Sequence, residues 1–375
     1  MRCVDEVPAQ ELQGKRVLLR AGLDLPLGGK GEVADTFRLK QSAATILYLV
    51  KVGAKVIVVA KIGKGPEESM APVAAAMKKF FPVFFVPALS GHLVDEAAAA
   101  MKNGDIMLLE NLQQDPREKE GSDQFARELA ALADLYVNDA FPSIHRRSTT
   151  MVNITKFLPS YAGLLVREEV KQIDEAREPQ SPSLAILGGS KFETKAPLIK
   201  LLLEKYDHVF ITGALANDVF KAHGLPVGRS LLSKELPSLE ILSHPHFLAP
   251  IDVTAEKSNG QAATKKPERV EDDEKIVDIG PETVAMLAPI IASAKFILWN
   301  GPTGIYEQGY NAYTKQIAEL AAKSGAKIVV GGGDTVAAIE HAGVSMGTNT
   351  FLSTGGGAML EYLLKGTLPG IEALN

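Results

Sequence analysis

Glycine clusters, two of them followed by lysine or by aspartate and threonine, mark the second half of this chain as a place where anions bind. The clusters are Gly188-Gly-Ser-Lys191, Gly331-Gly-Gly-Asp334-Thr335 and Gly355-Gly-Gly357, and the last two each precede a helical pattern. Backbone N–H groups and the helix dipole at such a junction can face a phosphate group. Lys191 and Lys195 stand four residues apart, so in a helix both side chains project to one side as phosphate-binding charges. Asp334 has the chemistry to hold a Mg²⁺ ion that bridges phosphate oxygens.

The first half carries basic residues in the corresponding places. Six cations lie at or beside the ends of its apolar runs: Arg20, Arg38, Lys61, Lys64, Arg146 and Arg147. A single such residue is usually a surface residue, but several that converge form an anion pocket. The sequence therefore predicts an anion site in each half of the chain.

The common nucleotide-binding motifs are absent. The chain has no G-x-x-x-x-G-K-[ST] sequence, which excludes a P-loop enzyme. A formal G-x-G-x-x-A pattern occurs at Gly29, Gly31 and Ala34, but it follows Pro26 and opens no apolar helix, so we interpret it as a loop. His145-Arg-Arg147 lacks the aspartate and the downstream asparagine of a protein-kinase catalytic loop. A nicotinamide dehydrogenase and a protein kinase are both disfavoured.

Short apolar runs alternate with longer amphipathic stretches along the whole chain, and these elements must position the candidate residues. The runs cover 17–19, 55–59, 83–86, 106–109, 135–137, 184–187, 208–211, 247–250, 296–299, 327–330 and 350–352. Runs that are apolar throughout are typical of parallel strands covered on both faces. About eleven strands suit two doubly wound α/β sheets better than one sheet. Such sheets bind ligands at the carboxyl ends of their strands, where the glycines and cations stand.

Length and composition agree with two globular domains. The chain has 375 residues, of which 46% are hydrophobic and 23% charged, with a net charge of −5. These values exclude general disorder and argue against a nucleic-acid coat or a polybasic membrane binder. The first ten residues lack the apolar core of a signal peptide, and the longest apolar run, 80–89, is too short to cross a bilayer. Because Cys3 is the only cysteine, we expect a reduced, cytoplasmic protein. Because of its net charge and its short apolar runs, we expect it to bind neither nucleic acid nor membranes.

The boundary between the two domains is expected near the middle of the chain. We predict an N-terminal lobe over 1–163, a connecting helix over 164–177 and a C-terminal lobe over 178–355. Segment 254–273 is charged and aperiodic, and we interpret it as a solvated loop or hairpin.

In its motifs the chain resembles the phosphoglycerate kinase family over essentially its whole length. The most specific matches are L-G-G-S-K-F-E-T-K (187–195), D-I-G-P (278–281), W-N-G-P-T-G (299–304), G-G-G-D-T (331–335) and S-T-G-G-G-A (353–358), joined by L-E-N (109–111), V-N-D-A-F (137–141) and H-R (145–146). The resemblance implies two Rossmann-like lobes that face each other across a cleft and close on a hinge. Each lobe would be a mostly parallel sheet covered by helices on both faces, and segment 356–375 would return to the N-terminal lobe.

The resemblance also implies which residues bind the nucleotide and act in catalysis. ATP or ADP with Mg²⁺ would bind in the C-terminal lobe, at Lys191, Lys195, Gly213, Asn300, Pro302, Glu307, Gly331, Gly332, Gly333, Asp334 and Thr335. Asp334 would also sit at the metal. The catalytic groups around the phosphoryl group in flight would be Arg38, Lys195, Gly355 and Gly356. Such a reaction depends on positioning and charge and needs no covalent protein intermediate.

The acceptor site departs from the family pattern. The expected acceptor-binding residues are Gly22, Asp24, Arg38, Lys61, Lys64, Gln113 and Arg146, and of these only the two arginines keep the family's residue. The family has Asp and Asn in place of Gly22 and Asp24, His and Arg in place of Lys61 and Lys64, Arg in place of Gln113, and His in place of Ser148. Lysine cannot reproduce the bidentate fork of arginine. We therefore expect an anionic acceptor that is bound more weakly than the full family pattern would allow.

The reaction implied is phosphoryl transfer between 1,3-bisphosphoglycerate and ADP, which gives 3-phosphoglycerate and ATP in glycolysis and gluconeogenesis, by a monomeric enzyme. Two alternatives remain open. One is a related kinase that acts on a different small anionic carboxylate, and the other is a catalytically inactive nucleotide-binding protein. The presence of Arg38, Lys195 and Asp334 argues against an inactive protein, because nucleotide binding alone does not require an acceptor-side arginine.

Overall fold

A computed structural model describes all residues of the chain, Met1–Asn375, and the chain divides into two compact units. The first unit comprises Met1–Lys171 together with Lys365–Asn375, and the second comprises Gln172–Leu364. A single helix, α7 (Leu164–Arg177), runs across the boundary. The returning segment starts at residue 365, later than the expected 356, because residues 356–364 form most of a helix of the second unit.

The first unit alternates strands and helices from its first strand to its last. Its strands are β1 (Arg16–Ala21), β2 (Lys55–Val59), β3 (Phe84–Phe85), β4 (Ile106–Leu108), β5 (Leu135–Asp139) and β6 (Ser160–Ala162). Its helices, besides the first part of α7, are α1 (Ala9–Leu12), α2 (Phe37–Lys51), α3 (Ala71–Met77), α4 (His92–Ala100), α5 (Pro116–Glu120), α6 (Asp123–Ala130) and, at the end of the chain, α15 (Pro369–Glu372).

The six strands of the first unit form one parallel sheet in the order β3-β4-β2-β1-β5-β6. The central strand β1 is almost entirely buried, as expected for a strand covered on both faces. In register, Arg20 lies between Val59 of β2 and Asn138 of β5. The carboxyl ends of β1, β2, β4 and β5 therefore meet at one edge, where the cations of the first half follow the strands.

Capping residues place the two short helices that follow β4. The Asp115 side chain accepts a hydrogen bond from the Arg117 N–H and begins α5, and Gly121 ends α5 in the left-handed conformation at φ 74°. The Ser122 side chain then accepts from the Phe125 N–H and begins α6. The chain turns at 121–122 between α5 and α6, and bonds from Thr149 and Thr150 hold α5 against the segment that follows β5.

The second unit contains a larger set of elements. Its strands are β7 (Ser183–Leu187), β8 (His208–Ile211), β9 (Phe247–Leu248), β10 (Val253–Lys257), β11 (Ala262–Lys265), β12 (Glu274–Ile279), β13 (Phe296–Asn300), β14 (Lys327–Gly331) and β15 (Thr350–Leu352). Its helices are α8 (Phe192–Lys205), α9 (Ala214–Ala222), α10 (Leu239–Leu242), α11 (Pro281–Ser293), α12 (Ala312–Ser324), α13 (Gly333–His341) and α14 (Gly356–Lys365), preceded by the last part of α7.

Six of these strands form a second parallel sheet, in the order β15-β14-β13-β7-β8-β9. Asn300 at the end of β13 stands in register between Leu187 of β7 and Gly331 of β14. The glycine clusters that follow these strands therefore meet at one edge. The buried core beneath them includes Trp299, which is fully buried.

Residues 253–279 form a separate antiparallel sheet in the order β11-β10-β12. The hairpin alternative for 254–273 is thus confirmed for β10 and β11, and the third strand adds to it. No helix of the chain is both long enough and apolar enough to span a membrane.

Candidate active site

The carboxyl edge of the first sheet opens into a cavity of about 820 Å³. Four of the expected acceptor residues line this cavity: Lys61, Lys64, Gln113 and Arg146. Charged residues that we did not include in the expected acceptor set line it as well: Arg20, Asp115, Glu118, Lys119, Glu120 and Arg147. The basic character expected for this edge is therefore present, with cations from β1, the β2 loop, α5 and the segment after β5.

Asp24 connects the segment after β1 with the loop after β2 and with α2. Its carboxylate forms an ion pair with Lys61 and accepts a hydrogen bond of 2.9 Å from the Gly63 N–H. Its carbonyl oxygen accepts from Nη1 of Arg38 at 2.6 Å. Burial lowers the pKa of Lys61, and the Asp24 carboxylate opposes this shift. The Asp24 carboxylate thus neutralises most of the positive charge of Lys61 within the protein.

Gln113 faces the loop after β2. Its Nε2 donates to the carbonyl oxygens of Ile62 and Gly63, at 2.7 and 2.8 Å. Asn111 supports the same loop, because its side chain donates to the Ile62 carbonyl and accepts from the Ile62 N–H. In this structure, then, the Gln113 amide nitrogen holds the loop that carries Lys64.

Gly22 contributes backbone to this edge. A Cβ at Gly22 would lie 3.2 Å from Cδ of Pro142, so the strand end packs tightly against the segment after β5. A larger residue at position 22 would require Pro142 to move by a few tenths of an ångström.

A buried charge network forms the wall of the cavity beside β1. Arg20 is only 2% exposed, and its Nε donates to Oγ1 of Thr150 at 3.1 Å. The Glu118 carboxylate accepts from the hydroxyls of Thr150 and Ser148, each at 2.7 Å. Burial lowers the pKa of Arg20 and raises the pKa of Glu118, and the opposite charge of each counteracts the shift in the other. Sequence reasoning flagged Arg20 by its place at a strand end, but no local signal marked Glu118 as its partner.

In the second unit, a cavity of about 360 Å³ opens beside the carboxyl ends of its strands. Four of the expected nucleotide residues line it: Gly213, Pro302, Glu307 and Asp334. Its other walls include the apolar side chains of Phe220, Leu231, Ile276 and Ile305, which sequence reasoning did not identify because they come from four separate segments. An apolar slot with a few polar groups is typical of a site for a small organic ligand.

Glycine is required where the loops at this edge touch. A Cβ at Gly301, where φ is 102°, would lie 2.6 Å from Cα of Gly188. A Cβ at Gly356 would lie 2.7 Å from Cα of Gly332. Because backbone meets backbone in both places, a side chain could fit only if the loops moved apart.

Lys195 lies against the first of these glycine clusters. Its Nζ donates to the Gly188 carbonyl, and a Cβ at Gly189 would come within 2.4 Å of the same nitrogen. Burial lowers the pKa of Lys195 to about 8, and the negative charge of Asp334 opposes this shift. Lys191 is exposed and stands at the N-cap of α8.

Asn300 and Thr335 hold the glycine loops together. Nδ2 of Asn300 donates to the Gly331 carbonyl at 2.8 Å. Oγ1 of Thr335 accepts from the Gly301 N–H at 2.7 Å and donates to the Gly331 carbonyl at 2.9 Å. The side chains of both residues therefore shape the edge at which α13 begins.

Asp334 is the only carboxylate at the start of α13. It is exposed and lines the cavity, and nowhere in the chain do three His, Cys, Asp or Glu side chains form a metal-binding group. Mg²⁺ commonly takes one or two protein carboxylates and completes its shell with phosphate oxygens and water. The residues present thus fit a cation that arrives with a nucleotide, and they do not fit a resident metal.

Comparison with known proteins gives one family. The profile described as phosphoglycerate kinase matches residues 6–366. A phosphoglycerate kinase from Salinispora tropica is 38% identical over an alignment of 395 positions, which covers 100% of this chain and 99% of the relative. One from Leptospira biflexa is 38% identical, with 97% of this chain and 96% of the relative covered.

Solved structures agree with the sequence relatives. The phosphoglycerate kinase of Pyrococcus horikoshii superposes with a TM-score of 0.88 at 26% identity, covering 100% of this chain and 98% of its own. The Coxiella burnetii enzyme gives a TM-score of 0.78 at 30% identity, covering 97% and 96%. With two parallel sheets, a cation-lined cavity on one and a glycine-walled slot on the other, this chain belongs to the phosphoglycerate kinase family, the ATP-dependent phosphotransferases of glycolysis.

Proposed function

We propose that this chain transfers a phosphoryl group between 1,3-bisphosphoglycerate and ADP, giving 3-phosphoglycerate and ATP, by direct in-line transfer. The observation that carries the proposal is the pair of complementary sites. One unit offers a cavity walled by cations, and the other offers an apolar slot flanked by Lys195, Asp334 and glycine loops at helix N-termini. A small phosphorylated carboxylate fits the first site and a nucleotide fits the second.

On the nucleotide side, backbone and one lysine supply the positive charge. The loops at Gly332 and Gly356 lie within contact of each other and begin α13 and α14, so the first N–H groups of both helices are available to phosphate oxygens. Lys195 adds a full charge beside them. We propose that Asp334 holds a Mg²⁺ ion brought by the nucleotide, which would neutralise charge on the phosphate oxygens.

On the acceptor side, Arg38 and Arg146 are the arginines that we propose bind the substrate. One guanidinium N–H of Arg38 is used by the Asp24 carbonyl, which orients the side chain. The remaining N–H groups of the fork can meet phosphoryl oxygens in the transition state. Transfer then needs no nucleophile from the protein, because charge and position supply the catalysis.

A substrate panel tests the proposal. Formation of ADP from MgATP should depend on 3-phosphoglycerate, and the same rate should not be reached with glycerate or with other small phosphorylated carboxylates. Absence of turnover with 3-phosphoglycerate, together with turnover of another carboxylate, would instead assign the altered acceptor residues to a different substrate.

The tight contact at Gly356 leads to a prediction with a matched control. Gly356→Ala places a Cβ 2.7 Å from Cα of Gly332, so the start of α14 must shift, and a displacement of about 1 Å at such a site lowers turnover by about 10²-fold. Gly357→Ala, one residue further on, places its Cβ in open space and should leave turnover near the parent value. Equal turnover of the two variants in a steady-state assay would contradict this account of the loop.

The lowered pKa of Lys195 predicts how nucleotide binding depends on pH. Below about pH 7 the amine is protonated and attracts phosphate, so the affinity for MgADP should be highest there. As pH rises through the pKa of about 8, the free protein loses this charge and affinity should fall by up to about tenfold per pH unit. Calorimetry between pH 7 and 9.5 measures the slope, and Lys195→Met should remove it. A slope that persists in Lys195→Met would assign the titration to another group.

A further inference from the structure

Two cations outside the family motifs line the acceptor cavity. Lys119 lies on α5, and Arg147 follows directly after the His145-Arg146 motif. Both side chains are exposed, and neither forms an ion pair within the protein. These two residues therefore add positive charge to one wall of the cavity, formed by α5 and the segment at Arg147. The resemblance assigns no role to this wall.

This wall is rigid because α5 is bonded to the segment that carries Arg147. The Thr149 N–H donates to the Glu118 carbonyl at 2.9 Å, and the Thr149 hydroxyl donates to the Arg117 carbonyl at 2.7 Å. At the end of α5, a Cβ on Gly121 would lie 3.7 Å from the carbonyl oxygen of Arg147. The backbones that bear the two cations are thus neighbours that are held in place.

Two of the three carboxylates that line this cavity are already matched. Asp115 accepts several hydrogen bonds from the Arg117 guanidinium, and the Glu118 carboxylate is buried in the network with Arg20. Glu120, exposed at the rim, is the remaining carboxylate that lines the cavity. The charges of Lys119 and Arg147 are therefore available to a bound anion.

At the positions where the family binds the substrate phosphate, this chain offers less positive charge than the family pattern. Gln113 stands where the family has arginine, and its amide donors hold the carbonyls of Ile62 and Gly63. Lys61 is paired with Asp24. Of the cations at the family's positions, Lys64 and Arg146 alone would then remain to bind a phosphate dianion in this cavity.

We propose that Lys119 and Arg147 bind the phosphate that is not transferred, and so determine the specificity of this acceptor site for phosphorylated over unphosphorylated carboxylates. This inference rests on the proposed function, because it names the recognition groups for its acceptor. The two residues contact only the non-reacting end of the substrate. They should therefore contribute equally to the ground state and to the transition state.

Single alanine variants of the full-length protein test the proposal. Arg147→Ala and Lys119→Ala should each weaken binding of 3-phosphoglycerate, measured by calorimetry without nucleotide, by about 10- to 150-fold for a full charge-assisted contact. The KM for 3-phosphoglycerate should rise accordingly while kcat changes little. Lys15→Ala, an exposed cation just before β1 at the opposite edge of the same sheet, is the control and should change the dissociation constant by less than about twofold. Parent-like binding in both cavity variants would overturn the proposal.

A second substitution separates a binding role from a structural one. Gln113→Arg should recover most of the affinity lost in Arg147→Ala, because it restores a cation at the family's position, yet it should add much less in the parent background. No recovery in the double variant, with its fold intact by circular dichroism, would contradict a shared phosphate site.

If the parent binds 3-phosphoglycerate but does not phosphorylate it, the proposed function fails while these binding comparisons still test Lys119 and Arg147. A parent that does not bind 3-phosphoglycerate would overturn both.

Discussion

Lys195→Ala should reduce turnover at saturating substrates by about 10²- to 10³-fold, as expected when one charged donor to the transferring group is lost. The amine lies on the Gly188 carbonyl beside the glycine loops, and burial lowers its pKa to about 8. A charge held in a largely desolvated place interacts strongly with a charge that develops nearby. The effect on kcat should therefore exceed the effect on the affinity for MgADP.

Lys200→Ala is the matched control for this variant. Lys200 lies on the same helix, α8, but it is exposed and paired with Glu240 on the surface. It should keep turnover within about twofold of the parent. Near-parental turnover of Lys195→Ala at saturating substrates would show that the amine does not meet the phosphoryl group.

Arg38→Ala should also reduce turnover by about 10²- to 10³-fold, from the acceptor side. Arg38 lies in the first turn of α2 and is fixed by its bond to the Asp24 carbonyl, which leaves most of its fork free. Arg38→Lys should recover only part of the loss, since an ammonium group cannot donate in the bidentate geometry of a guanidinium.

Lys40→Ala provides the control on α2, because Lys40 is exposed on the same helix two residues further on. Its kcat should match that of the parent. If Lys40→Ala and Arg38→Ala gave the same kcat, the assignment of Arg38 to the phosphoryl group in flight would be wrong.

The two parallel sheets could be predicted from the sequence, because their strands are buried on both faces and read as continuous apolar runs. The run 296–299 became β13 with one added residue, and 350–352 matches β15 exactly as Thr350–Leu352. The small antiparallel sheet was harder to predict. Its strand β11 is exposed along most of its length and carries no apolar pattern.

The start of α8 could not be predicted from apolar periodicity. The apolar stripe of this helix is regular from Leu198 onward, but the helix begins at Phe192. In the first turn only Phe192 is buried, and polar residues follow it before Pro197. A helix predicted from its apolar stripe therefore starts too late. The first turn also carries Lys195.

The candidate site residues could be proposed from the sequence, but their hydrogen-bonding partners could not be predicted. The family resemblance singled out Asp24, Gln113 and Asn300, yet each uses its side chain to hold a neighbouring loop. Those partners lie 31 to 51 positions away along the chain. Lys119 was missed for a related reason, since it follows no strand and reaches the cavity only because α5 is bonded to residues 149–150.

The most direct test of the account is the formation of an acyl phosphate from 3-phosphoglycerate and MgATP. The purified chain should produce 1,3-bisphosphoglycerate, detected by a coupled enzyme that reduces it with a nicotinamide cofactor, and it should form ATP from ADP in the reverse direction. Both rates should fall together in Lys195→Ala and in Arg38→Ala. ADP release without acyl phosphate, or binding of both substrates without transfer in either direction, would contradict the proposed reaction.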